Sequence, residues 1–74
     1  MNAGEIISLE NGKEYIIFSK IEEKGVNYLY LMSNFKPIEI MFAIEKYDSK
    51  IEIIGDPELK EKVLNLFKQK AVND

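Results

Sequence analysis

Seventy-four residues suffice for one domain with a thin core, because a chain this short buries only about 60–65% of its unfolded surface. It has no Cys, no His and no Arg, which removes disulfide staples, the common zinc sites, the Ser-His-Asp triad, cysteine nucleophiles and any arginine finger. All ten basic residues are Lys, and the net charge of -3 argues against generic nucleic-acid binding.

The compensation for missing staples is apolar: 46% of the residues are hydrophobic, and eleven are Ile, a residue stiff at χ1 and suited to pleated surfaces. The first predicted element is a hairpin, Glu5–Glu10 and Lys13–Ser19 around Asn11-Gly12. Asn-Gly between apolar runs signals a two-residue type I′ loop. That loop would set Glu10 opposite Lys13, Ile7 opposite Ile16, and Ser8 opposite Tyr15. Glu22-Glu23-Lys24-Gly25 reads as the second turn, with the Glu22-Glu23 pair solvated on it.

Strand three, Val26–Met32, alternates Leu29 and Leu31 on one side with Tyr28 and Tyr30 on the other. Residues 33–37 form a loop ending in Pro37. Strand four, Ile38–Glu45, points Ile38, Ile40, Phe42 and Ile44 inward, and a turn at Asp48-Ser49-Lys50 leads to a short fifth strand, Ile51–Ile54. Asp56 then serves as a helix N-cap, Pro57 takes the first helical position where no amide is needed, and Glu58 suits the positive end of the dipole. Leu59, Val63, Leu66, Phe67 and Ala71 share one stripe, so the helix covers about 57–71 and is expected to fray by Val72-Asn73-Asp74.

The fold class that follows is α+β: a single domain, 1–74, with strands over about 5–54. They form a five-stranded antiparallel meander sheet with one C-terminal helix packed on one face. The alternation leaves open whether the sheet curls toward a barrel. The longest apolar runs, Tyr28–Met32 and Ile40–Ile44, fall far short of the ~20 residues a spanning helix needs. Residues 1–5 lack a basic segment followed by an apolar one, so a cytoplasmic location is expected.

No Gly-rich phosphate loop is present, because the four glycines stand alone at 4, 12, 25 and 55. The chain is therefore expected to be no enzyme, to carry no cofactor and to bind no metal. The informative residues are aromatic. Tyr15, Tyr28 and Tyr30 are placed by this register on the face away from the helix, with Ile6, Ile17 and Met41 beside them. Tyr and Met combine large apolar area with a polar tip or adaptability, so Tyr15, Ile17, Tyr28, Tyr30 and Met41 form the candidate partner-binding patch. The competing possibility is that these are ordinary sheet aromatics in cross-strand pairs.

The Leu9–Tyr15 hairpin, the Gly25–Leu31 strand and the closing amphipathic helix resemble the YrzB-type family, small proteins of Gram-positive bacteria and their phages. Members of that family commonly carry an acidic stretch between strands three and four, where this chain has Ser33-Asn34-Phe35-Lys36-Pro37. The resemblance implies a cytosolic accessory protein, in the host cytoplasm if phage-borne, and no functional residues. The expectation is a non-catalytic interaction module, a bacterial accessory protein or a phage-encoded inhibitor, with a protein partner or a second copy. The alternative is a small-ligand or single-stranded nucleic-acid binding domain, which a basic groove beside the aromatics would favour.

Overall fold

Short alternating apolar runs separated by tight turns have little choice but to pair with their sequence neighbours. The computed structural model describes residues 1–73, apart from the side chains of Ser49 and Asn73. It contains strands β1 (Ile6–Ser8), β2 (Glu14–Glu23), β3 (Val26–Ser33), β4 (Ile40–Glu45) and β5 (Ile51–Ile53), followed by helix α1 (Pro57–Asn73). The strands form one antiparallel sheet in the order β1-β2-β3-β4-β5, the meander expected from the sequence. The helix begins as expected: Asp56 Oδ1 accepts the Glu58 amide at 3.2 Å, and the Asp56 carbonyl accepts the first helical bond from Lys60 at 2.9 Å. It continues as helix to Asn73, through the Val72-Asn73 step where fraying was expected, and Asp74 lies outside the described residues.

The two hairpin turns exchange the roles that the sequence suggests. At Asn11-Gly12 only Gly12 has a positive φ, 80°. The Leu9 carbonyl accepts the Gly12 amide at 2.9 Å, and Asn11 uses its side chain to accept the Lys13 amide at 2.8 Å. This is a type I turn closed by a left-handed glycine, not a type I′ loop. The register moves by one residue, so Ile7 faces Tyr15 instead of Ile16, and Ser8 faces Glu14. The type I′ geometry sits instead at Lys24-Gly25, with φ of 52° and 79°, joining Glu23 directly to Val26. Glu22 and Glu23 thus end β2 as strand residues instead of lying on a turn.

Both faces of the sheet are buried, and they are buried differently. One face carries Tyr15, Ile17, Leu29, Leu31 and Ala43, all 0% exposed, although no helix lies on it. The sheet curls around these side chains, and Met1, Ile7, Leu9, Phe35, Met41 and Ile51 pack against them. The other face carries the helix, whose Val63 and Phe67 pack with Tyr28 and Ile54, flanked by Ile21, Phe42 and Ile44. Sequence placed Leu29, Leu31, Ile7 and Leu9 under the helix; all four are on the inner, curled face. Sequence also placed Tyr28 and Tyr30 away from the helix, and both are on the helix side. The assignments of Phe42 and Ile44 hold, whereas Ala71 at the end of the predicted stripe is exposed.

A bulge in β2 links the two faces. The register steps from Ile17↔Leu31 to Ser19↔Tyr30, leaving Phe18 as the extra residue. Odd-numbered residues face inward before the bulge and even-numbered ones after it, so Lys20 pairs with Leu29 on the inner side and Ile21 with Tyr28 on the helix side. At the bulge the helix is tied down by Lys70, whose Nζ donates to the Lys20 carbonyl at 2.7 Å and to Ser19 Oγ at 3.4 Å.

Candidate contact surface

The helix starts just beyond Ile54, at the β5 edge, and reaches β2 at Ser19 and Lys20 through Lys70. It therefore crosses the strands as a band only ~10 Å wide, whereas the ten residues of β2 extend over ~33 Å. A large part of the helix-bearing face must stay uncovered.

The register identifies that part. Ile6 pairs with Ile16, Ile16 with Met32, and Met32 with Ile40, so these four side chains form one row across four strands. Tyr30 and Phe42, two residues along β3 and β4 from Met32 and Ile40, lie on the same face and belong to the helix cluster. Ile6 is 58% exposed and Ile40 53%, while Ile16 and Met32 are half-buried between them. Phe18, 60% exposed, joins the row to the helix through its ring contact with Tyr30 at 5.3 Å. Tyr30 in turn stands edge-on to Phe42 at 5.1 Å and to Phe67 at 5.6 Å. A groove of about 300 Å³ continues the apolar strip past Phe18 toward Leu64 and Lys68 on the helix.

The five residues that sequence proposed as one exposed patch are not one patch. Tyr15 and Ile17 are 0% exposed on the inner face, and Met41 is half-buried beside them. Tyr28 is 6% exposed under the helix, and Tyr30 is half-buried at its margin. The β1–β2 slip moves Ile6, the β2 bulge puts Tyr15 and Ile17 on the face opposite Tyr28 and Tyr30, and the β3–β4 register pairs Met41 with Leu31 on the inner face. Of the neighbours proposed for the patch, Ile6 is exposed, but on the side that bears the helix. A sequence signal for the real strip exists: on the helix side the strands carry more alternating apolar residues than one helix can cover.

The inner face ends in a charged cluster. Glu45 accepts the Met1 ammonium at 3.0 Å and Lys20 Nζ at 3.1 Å, and Lys20 Nζ also donates to the Met1 carbonyl at 2.8 Å. These bonds, the Met1 one first and the Lys20 one second, hold the Glu45 carboxyl below the ordinary glutamate range against the opposing effect of burial. The cluster closes the core over Met1. Among the described residues, no group of three or more Asp or Glu side chains is placed to hold a metal ion, and no helix is long and apolar enough to cross a membrane. Neither a protein-family model, nor a curated protein, nor a solved structure matches this chain.

Proposed function

We propose that the chain is a non-catalytic protein-interaction module whose contact surface is the Ile6–Ile16–Met32–Ile40 row with Phe18. The observation that supports it is the row itself: apolar side chains in direct cross-strand register, left uncovered on the face where the helix packs. Full burial of an Ile or Phe is worth about 1.5–3 kcal/mol, so covering the exposed halves of Ile6, Phe18 and Ile40 would return about 3–5 kcal/mol. That is the scale of an interface hot spot, and apolar strips of this kind mark partner surfaces. The module serves as a bacterial accessory protein or a phage-encoded inhibitor, in keeping with the YrzB-type resemblance.

The test is the double variant Phe18→Ser with Ile40→Ser. Both side chains are more than half exposed, so the circular-dichroism melt should stay close to that of the wild type. Proteins retained from a Gram-positive lysate, or self-association seen by sedimentation, should fall at least about tenfold. Unchanged retention and association by a folded double variant would remove the surface from consideration.

A further inference from the structure

We infer that the groove between the two free edges of the sheet, beside β1 and β5, binds an extended peptide segment that adds as a strand to β1. This site is separate from the Phe18–Ile40 strip and does not depend on it. The groove measures about 590 Å³, within the usual range of ligand clefts, and Ile7, Leu9, Met41, Ile51 and Ile53 line it.

The backbone supplies the recognition. In an antiparallel ladder alternate residues turn both their N–H and C=O toward the neighbouring strand. The Glu5 carbonyl accepts the Ile17 amide of β2 at 2.9 Å, and the Leu9 amide donates to the Lys13 carbonyl, just before β2, at 3.0 Å. Ile6 and Ser8 therefore turn their amides and carbonyls outward into the groove. Across it, the Lys50 carbonyl accepts the Lys46 amide just beyond β4 and the Ile54 amide donates to the Phe42 carbonyl of β4, which turns Ile51 and Ile53 outward in the same way. No backbone partner is found for these outer edges among the described residues.

Sheet edges are commonly blunted by Lys, Pro or a bulge, and β1, Ile6-Ile7-Ser8, has only its three-residue length. Its outward groups offer a partner strand two donors and two acceptors. The inner-face side chains of such a strand would rest on Ile7, Met41 and Ile53, the last of them 41% exposed. Backbone pairing with an apolar floor under every second residue is the chemistry of strand addition, so the ligand is an extended segment with alternating apolar residues.

The probe is a seven-residue peptide of alternating valine and threonine with lysine at each end, titrated to millimolar concentration into the full chain. Backbone amide NMR should show shifts at Ile6, Ser8, Ile51 and Ile53, with slowed hydrogen exchange at Ile6 and Ser8. The same peptide N-methylated at alternate amides keeps its side chains but loses its donors along one edge, and should bind about tenfold to thirtyfold more weakly. Ser8→Pro removes one outward donor without touching the β2 ladder, and Ile53→Lys charges the floor at a half-exposed position. Each should retain the wild-type melt and lose the shifts; if the proline variant does not fold, the lysine variant decides. The inference is overturned by absence of shifts at millimolar peptide, by equal binding of the methylated peptide, or by shifts confined to the Ile16–Met32–Ile40 row. It is equally overturned if Ile6 and Ser8 become protected with rising protein concentration and no peptide, since the occupant would then be a second copy.

Discussion

Replacing Phe67 by Ala probes the helix–sheet contact, with Phe18→Ala as its internal control. Phe67 is 7% exposed, stacked on Phe42 at 5.9 Å and edge-on to Tyr30 at 5.6 Å. Phe→Ala in a core costs about 3–5 kcal/mol, the sum of lost transfer energy and the cavity left behind. Phe67 also lines the groove beside Phe18, so its site can partly collapse and the cost should fall near ~3 kcal/mol. A chain of this length has a total stability of about 4–11 kcal/mol, so the loss takes a large share of it. The control touches the same aromatic cluster but is 60% exposed, and should cost under ~1 kcal/mol. Urea titrations followed by circular dichroism and tyrosine fluorescence measure both. At an m-value of ~1 kcal/mol per molar, the Phe67→Ala midpoint drops by about 3 M and the Phe18→Ala midpoint by less than about 1 M. Equal shifts for the two variants, at unchanged m, would refute the placement of the helix on this face.

Tyr15→Phe should leave stability unchanged or raise it by about 1 kcal/mol, because the buried Tyr15 hydroxyl has no hydrogen-bond partner among the described residues while its ring packs edge-on against Phe35 at 5.7 Å. A clear fall in the urea midpoint would mean that the hydroxyl is bonded. Glu45 adds a pH dependence with a definite sign: its carboxyl is held below the ordinary range in the folded chain, so its stabilisation is complete above the unfolded glutamate pKa and is lost as pH falls through the folded value. Between pH of about 5 and 3 the wild type should therefore lose more stability than Glu45→Gln, and parallel stability curves would argue against the Met1–Glu45–Lys20 cluster as the cause.

The sequence by itself determined the five strands, the C-terminal helix and the order of the sheet. Period-two alternation marks the strands, Asp56-Pro57 and the Leu59–Val63–Phe67 stripe mark the helix, and short connections leave sequential pairing as the simple outcome. What alternation does not contain is the identity of the buried face. In β3 both sets are apolar, Leu29 and Leu31 against Tyr28 and Tyr30, and both are packed, one set inside the curl and the other at the helix. Which residues of β1 and β2 join each set was decided by two one-residue features that have no period: Asn11 keeping a negative φ while its side chain caps Lys13, and the bulge at Phe18. Each exchanges the faces for every residue beyond it, which is why Tyr15 and Ile17 lie in the core. Coverage, too, was decided only in three dimensions. A single helix hides one band of the sheet, so its path from Ile54 to Lys20 left Ile6, Phe18 and Ile40 as the exposed strip.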